Sequence, residues 1–223
     1  LLEDEEISEG WEEYQENMQT RADYFNDSAV YNMQSPTIDG KKNTAENELS
    51  ALFLERVFSL VGSSGYVSLI LPNVIFTGSS CKDLRLHLLN NTTVNSIVHF
   101  ENHGIFEEID TRYNFGVIVF KNEGRTEELK ATFQQKSVDV LESFDESALN
   151  ISRRVLREYS PEARIFPYVQ SQREVDVLNS IFAHKPIGDK SGNSWYCTPY
   201  RELDRTADSD RFVENESDGD YPV

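Results

Sequence analysis

Few side chains in this sequence are suited to a metal site or a disulfide framework. It has two cysteines, Cys81 and Cys197, in no CxxC pair, and only four histidines. The motifs GxGxxG, GxxxxGK(S/T) and GxSxG are also missing. These absences argue against the common zinc, dinucleotide, P-loop and serine-hydrolase sites. We expect both cysteines to be small side chains in the core or at its margin.

Long apolar runs are missing too. No stretch of 18 or more apolar residues occurs, and the first residues, LLEDEEISEG, lack the basic and apolar regions of a secretory signal. We therefore expect a soluble, cytoplasmic protein and, because the sequence opens without methionine, a segment of a longer one. Hydrophobic residues (38%) and aromatic residues (11%) are abundant enough to form a core in a chain of 223 residues.

Basic residues are scarce: there are 21 against 39 acidic ones, which gives a net charge of −18. Such a balance is typical of a solvated surface, of a surface adapted to high salt, or of a protein that mimics DNA. We favour salt adaptation, because self-repulsion is screened within about 3 Å at ~1 M ionic strength. The acids show no regular spacing, which argues against the mimic, and no basic face indicates a nucleic-acid surface.

The pattern of apolar residues beyond residue 46 predicts an α/β fold. A helix is predicted in ENELSALFLERVFSLV, with a buried face formed by Leu49, Leu52, Phe53, Val57, Leu60 and Val61. A strand over residues 66–71 follows, apolar enough to be covered on both faces. Next come a helix that ends at Asn90-Asn91 and two strands, VNSIVHFE and NFGVIVFKN. Alternating elements of this kind form a sheet flanked by helices.

The segments on either side are less regular. Residues 1–46 predict a peripheral helix followed by a loop. The apolar anchors of that helix would be Trp11, Tyr14, Met18 and Phe25. Residues 123–160 are charged and weakly patterned, which predicts a connector with a helix in ESALNISRRVLREY. Residues 161–223 predict an amphipathic helix at 174–182 and then an extended or partly disordered tail.

Residues 47–122 resemble the second half of the catalytic domain of adenine-N6 DNA methyltransferases. The features that carry the resemblance are LPN at 71–73, the LR and LL pairs at 84–89, IF at 105–106 and TR at 111–112. They are most similar to enzymes fused into type II restriction-modification polypeptides of the Eco57I kind. The resemblance implies a partial Rossmann-like, S-adenosylmethionine-dependent methyltransferase sheet, of which this chain supplies the last three strands. It also implies that residues 161–223 begin a linker and target-recognition region.

Pro72 and Asn73 close the first predicted strand, and this position suggests a function. In an open α/β sheet the binding cleft lies beyond the carboxyl ends of the strands, so these two residues would lie on the rim of the active site. Proline ends strand pairing because it has no N–H to donate. The alternative is a plain strand terminator with Phe76 buried behind it.

The resemblance assigns roles to two residues of the loop before the last strand. Phe106 matches the aromatic residue that stacks on the target base once the base has left the duplex. Its alternative role is a plug over the core. Arg112 could contact the DNA backbone, and its alternative is a surface ion pair with one of the neighbouring acids, Glu107, Glu108 or Asp110.

Two family motifs are missing from this chain. They are the glycine-bearing loop that binds S-adenosylmethionine and the Asn/Asp-Pro-Pro-aromatic motif that holds the target amine, which both come earlier in the family's sequences. We therefore expect no catalytic residue, cofactor or metal in this chain. Its intact parent, with or without a fused nuclease, would use S-adenosylmethionine to methylate adenine N6 in DNA. The rival interpretations are a non-catalytic DNA-binding or specificity module and an acidic DNA mimic.

The resemblance also predicts how the strands pair. The strand at 66–71 would lie between the strand at 115–120 and a partner that this chain does not contain. One row of its backbone groups would then be unpaired, which proteins rarely tolerate in an apolar strand. We expect residues 1–46 or a second copy of the chain, in a homodimer, to cover that edge.

Overall fold

The structure is a computed structural model that describes residues 5–27, 30–38, 40–43, 48–185, 187, 197, 200, 202–206 and 208–211. The chain divides into two compact units, Leu1–Ala183 and His184–Val223. In the second unit the described residues include one turn of 3-10 helix, Ser209–Arg211. The tail predicted to be extended or partly disordered lies mostly outside the described residues.

Between residues 48 and 122 the first unit contains the predicted helix, strand, helix, strand and strand in that order, and it has further elements on either side. The helices are α1 (Glu5–Asp27), α2 (Leu49–Leu60), α3 (Val74–Thr77), α4 (Lys82–Asn91), α5 (Phe144–Ser147), α6 (Arg153–Tyr159) and α7 (Gln172–Ile181). The strands are β1 (Thr37–Ile38), β2 (Lys41–Lys42), β3 (Tyr66–Pro72), β4 (Thr93–Glu101), β5 (Asn114–Lys121), β6 (Glu128–Gln135) and β7 (Leu149–Ser152). The predicted mixed α/β class is confirmed.

Five strands form the main sheet in the order β3-β5-β4-β6-β7. Strand β5 lies between β3 and β4 and is antiparallel to both, with Ile118 opposite Leu69 on one side and Ile97 on the other. Strand β6 runs parallel to β4, and β7 is antiparallel to β6. The predicted pairing of the strand at 66–71 with the strand at 115–120 is therefore present.

Strand β3 forms one edge of this sheet. Among the described residues it pairs with β5 alone, and the strands β1 and β2 pair with each other. Tyr66 and Ile70 are 68% and 60% exposed, whereas Val67 and Leu71 on the other face of the strand are buried. The prediction that β3 is covered on both faces is thus wrong within the described chain, and no described residue of the first 46 pairs with its free edge.

Strands β6 and β7 lie in the segment that the sequence analysis treats as a connector. Leu129, Ala131 and Phe133 of β6 are buried while Glu128 and Lys130 are exposed, so the first part of β6 has one buried face and one solvated face. Charged residues on the solvated face made the segment look irregular in sequence. The sheet contains five strands as a result, two more than the three that the resemblance implies.

The core lies between the sheet and helices α2 and α4. It includes Leu54 of α2, Leu84 and Leu88 of α4, and Ile118 and Phe120 of β5, all fully buried. The predicted face of α2 is only partly right. Leu52 and Val57 are buried as predicted, but Leu49, Phe53 and Leu60 are exposed, and the fully buried Leu54 was missed. This helix is apolar on several sides, so spacing alone does not identify its inner face.

Helix α1 has a half-exposed apolar stripe. Trp11, Tyr14 and Met18, predicted as anchors, are 51%, 54% and 47% exposed, and the rings of Trp11 and Tyr14 stack on each other at 5.6 Å. Phe25 packs edge-on against Tyr31. Among the described residues no helix has both the length and the apolar character needed to cross a membrane.

Candidate functional site

One end of the sheet collects the residues that the sequence analysis singled out. Pro72, the last residue of β3, lies opposite Phe115, and Glu101, the last residue of β4, lies opposite Asn114. The chain after Pro72 and the loop 102–113 therefore leave the sheet at the same end. The backbone N–H of Asn73 donates to the carbonyl of Asn114 (3.0 Å), which ties the two segments together.

Asn73 is half-buried and begins helix α3. Its carbonyl oxygen accepts hydrogen bonds from the N–H groups of Phe76 and Thr77, so the strand turns at once into a helical turn. Its side-chain Oδ1 accepts a hydrogen bond from the Tyr168 hydroxyl and lies 3.2 Å from Nε2 of His99. Asn73 is therefore held by three parts of the chain that are far apart in sequence.

His99 is fully buried in β4 and packs against the ring of Tyr168 at 4.3 Å. The backbone N–H of Gln134 points at its Nδ1 (3.3 Å). Gln134 has a left-handed backbone, with φ of 55°, which few residues other than glycine adopt. Burial lowers the pKa of His99 from 6.5 to about 4, although nearby Glu101 opposes the shift. The imidazole is therefore neutral at neutral pH.

Arg85 holds two segments next to this site, and among the described residues it has no carboxylate partner. This fully buried side chain donates to the carbonyls of Ile75 (2.7 Å) and Gly78 (2.7 Å) and to those of Ala163 (2.6 Å) and Arg164 (2.8 Å). Burial lowers its pKa to about 10, so it stays charged at neutral pH. It joins the segment that follows Asn73 to the segment that leads to Tyr168.

The loop 102–113 is organised by one buried side chain. Asn102 accepts a hydrogen bond from the N–H of Phe106 (2.9 Å) and donates to the carbonyls of Phe106 (3.1 Å) and Ile109 (2.8 Å). Phe106 is 38% exposed, and its ring meets Phe115 edge-on at 4.9 Å. One side of the ring thus packs on the domain while another part stays open, so both roles considered for Phe106 remain compatible with its position.

Arg112 makes the ion pair considered as the alternative to a DNA contact. Its guanidinium donates to both carboxylate oxygens of Asp110, at 3.0 Å and 2.8 Å, and remains largely exposed. These hydrogen bonds lower the pKa of Asp110 and raise that of Arg112. A contact between Arg112 and DNA stays a prediction.

The described residues were expected to hold neither a metal ion nor a cofactor, and two observations bear on these expectations. No group of three or more His, Cys, Asp or Glu side chains within it is arranged to hold a metal ion. Strand β3 is followed by Pro72-Asn73 and β4 by the loop 102–113, and neither is a glycine-rich turn that opens a long helix.

Sequence reasoning singled out Pro72, Asn73 and Phe106, whose roles stay predictions, and did not point to the residues that contact them. His99 is a buried histidine, and both of its ring nitrogens have a hydrogen-bond partner. Tyr168, Gln134 and Arg85 carried no signal that pointed to this site. Tyr168 lies 95 residues beyond Asn73 in sequence, so their contact exists only in the folded chain.

Comparison with known proteins supports the resemblance. The family model described as Eco57I restriction-modification methylase matches residues 14–106, a segment that starts earlier and ends sooner than the one noted from sequence. The comparison with curated proteins gives no significant match. The predicted resemblance to restriction-modification methyltransferases is confirmed by the family model.

Three solved structures give partial matches. A modification subunit of a putative type I restriction enzyme from Vibrio vulnificus YJ016 is 15% identical, with 48% of this chain and 28% of that one covered and a TM-score of 0.41. The type IIG restriction endonuclease BpuSI is 21% identical, with 51% and 15% covered and a TM-score of 0.41. The type I enzyme EcoKI M protein is 12% identical, with 69% and 44% covered and a TM-score of 0.44. This chain spans less than half the length of each.

Proposed function

We propose that this chain is the C-terminal part of the catalytic domain of a restriction-modification DNA methyltransferase. The intact parent, a cytoplasmic enzyme of the type II fused kind, transfers a methyl group from S-adenosylmethionine to N6 of adenine. The observation that carries the proposal is the Eco57I family match over residues 14–106, which includes Pro72, Asn73 and Phe106. The strand order β3-β5-β4 supports it, because this order brings those three residues to one end of the sheet.

In this proposal the end of the sheet receives the target base. An enzyme that modifies a base in duplex DNA takes the base out of the stack and holds it between apolar or aromatic groups. The exposed part of the Phe106 ring supplies one such surface, and Pro72 and Asn73 border the space beside it. Arg112 exchanges Asp110 for a DNA phosphate, which costs little because its guanidinium already lies at the surface.

The negative charge of this chain affects how the parent binds DNA. A net charge of −18 repels phosphates, so most of the favourable electrostatic contact comes from other regions of the parent. High salt screens the repulsion, which fits a protein adapted to a saline cytoplasm.

A non-catalytic DNA-binding or specificity module is the second candidate. The observation in its favour is that the sequence contains neither a glycine-bearing cofactor loop nor an Asn-Pro-Pro-aromatic motif. The two candidates differ in what they require of the parent, because only the enzyme needs both motifs upstream of these strands.

Isothermal titration with S-adenosylmethionine separates the candidates. We expect no binding of the cofactor to the isolated chain at micromolar concentrations. The intact parent is expected to bind the cofactor at one site. Micromolar binding by the isolated chain contradicts the assignment of the cofactor loop to another segment. Absence of binding by the intact parent favours the module.

The isolated chain also has an edge that another strand can occupy. Strand β3 presents exposed Tyr66 and Ile70 beside backbone groups that have no strand partner among the described residues. A second copy that pairs along this edge would satisfy those groups and form a homodimer in the absence of the rest of the parent.

A further inference from the structure

The side-chain amide of Asn73 has one possible orientation. One of the two terminal atoms of this amide faces two groups, the hydroxyl of Tyr168 and Nε2 of His99. The backbone N–H of Gln134 donates to Nδ1 of His99, so in the neutral imidazole the hydrogen is on Nε2. Nε2–H needs an acceptor, and the atom of Asn73 that faces it must therefore be the oxygen Oδ1.

In this orientation the NH2 group of the amide, Nδ2, can still donate hydrogen bonds. Both lone pairs of Oδ1 are used, one by Tyr168 and one by His99. Nδ2 has two N–H donors, and within the described chain neither meets an acceptor. Asn73 is half-buried at the end of β3, and the loop that carries Phe106 leaves the sheet at this same end. The protein thus holds a side chain that donates and can no longer accept.

We propose that Nδ2 of Asn73 donates a hydrogen bond to a ring nitrogen of the target adenine, and that His99 and Tyr168 are positioning residues that fix the amide for this contact. The proposal rests on the proposed function and names the role of one residue within it. Asparagine usually contacts adenine through both amide atoms, accepting from the N6 amine and donating to N7. Here Oδ1 is already saturated, so Asn73 cannot accept from the amine and leaves it free to react.

The test is a cycle of protein and substrate changes in the intact methyltransferase. Asn73→Asp retains an acceptor for Tyr168 and His99 and replaces only the donating Nδ2. Duplexes that contain 1-deaza-, 3-deaza- or 7-deazaadenine at the target position each remove one ring nitrogen. We expect Asn73→Asp to lower kcat/KM on normal DNA about tenfold, the scale of one lost hydrogen bond with an unpaired partner.

The decisive result is non-additivity with one of the three analogues. That analogue is expected to slow the wild-type enzyme about tenfold and to slow Asn73→Asp no further, because the contact is already absent. Fully additive effects with all three analogues overturn the proposal, as does an Asn73→Asp enzyme with unchanged kcat/KM. A wild-type enzyme that methylates no adenine DNA overturns the proposed function and this inference together.

The positioning roles have their own readouts. Tyr168→Phe removes one hydrogen bond to Oδ1, so we expect a smaller loss in kcat/KM that vanishes in the Asn73→Asp background. An equal loss in both backgrounds would show that Tyr168 acts only through stability. Nitrogen-15 spectra of His99 in the 223-residue chain test the premise without activity. The Nε2–H tautomer supports the orientation, and the Nδ1–H tautomer overturns it.

Discussion

The ring of Phe76 lies directly against Gly116, so that a Cβ added at residue 116 would stand 2.6 Å from two ring carbons. Real Cβ atoms do not approach other atoms so closely. Gly116 is the third residue of β5 and lies opposite Leu71 of β3 and His99 of β4. Phe76 is one of the two buried residues of α3, the helical turn that follows Asn73. The glycine therefore lets the chain that leaves β3 pack down onto the sheet beneath the candidate site.

Replacement of Gly116 by alanine is expected to destabilise the chain by about 1–3 kcal/mol, because the buried Phe76 ring has to move. The control is Gly62→Ala, since a Cβ at residue 62 meets nothing within 4 Å. That variant should remain within about 0.5 kcal/mol of the wild type. Urea unfolding of the three proteins measures the difference, and equal stability of the two variants contradicts the packing described here.

Arg85 supports two separate segments, and its removal leaves four carbonyl groups without their donor. We expect Arg85→Met to lower the free energy of unfolding by about 2–4 kcal/mol. Arg125→Met is the matched control, because Arg125 is exposed and, within the part of the chain that the structure describes, forms an ion pair with Glu127 alone. If both substitutions cost the same in urea unfolding, the buried hydrogen bonds of Arg85 contribute little.

The lowered pKa of His99 predicts how the free energy of unfolding depends on pH. Its pKa is about 4 in the folded chain against 6.5 for an ordinary histidine, so the unfolded chain binds more protons between these values. Stability should therefore fall as pH drops from 6.5 towards 4, by at most about 3 kcal/mol for this one group. The pH profile of His99→Gln isolates the effect, since the carboxylates are common to both proteins. Parallel profiles for the two proteins would mean that His99 titrates normally.

Two substitutions of Phe106 distinguish a role in base stacking from a role in packing. In the intact enzyme Phe106→Ala is expected to weaken binding of DNA with an extrahelical target adenine by about 1–3 kcal/mol, the value of one lost base stack. Phe106→Leu retains most of the contact with Phe115 and removes the aromatic face, so it should lose nearly as much affinity while the free protein keeps its stability. Wild-type affinity in Phe106→Leu would assign the residue to the core.

The open edge of β3 leads to a prediction about association. Two chains that pair there each carry a net charge of −18, so dimerisation should strengthen as salt is added. Light scattering over a range of protein and salt concentrations measures it. A monomer under all conditions, with the amides of residues 66–71 protected from exchange, would show that another segment covers the edge.

The sequence alone predicted the elements whose apolar residues are concentrated and bounded by turn residues. Strands β3, β4 and β5 were placed within one or two residues, because each is an apolar run that ends in polar or turn-forming residues. Strand β6 was missed because its buried Leu129, Ala131 and Phe133 alternate with charged or polar residues, which hide the apolar pattern. In α2, apolar residues on several sides concealed which face is buried.

For the candidate site, too, the sequence pointed to some residues and gave no information on others. Pro72 and Asn73 could be found because a strand that stops on proline has a physical meaning in an open sheet. The orientation of the Asn73 side chain could not be predicted from sequence, because it depends on a tyrosine 95 residues away and on the backbone of Gln134. Local patterns carry no information about such contacts.

The most direct measurement is methyl transfer by the intact protein that contains this chain, followed by identification of the modified base. Duplex DNA is incubated with S-adenosylmethionine that carries a labelled methyl group and is then digested to nucleosides for mass spectrometry. We predict a label on N6-methyladenine alone, and a strongly reduced yield from the Asn73→Asp variant. Absence of label in DNA, or label on cytosine, would contradict the assignment of these strands to an adenine-N6 methyltransferase.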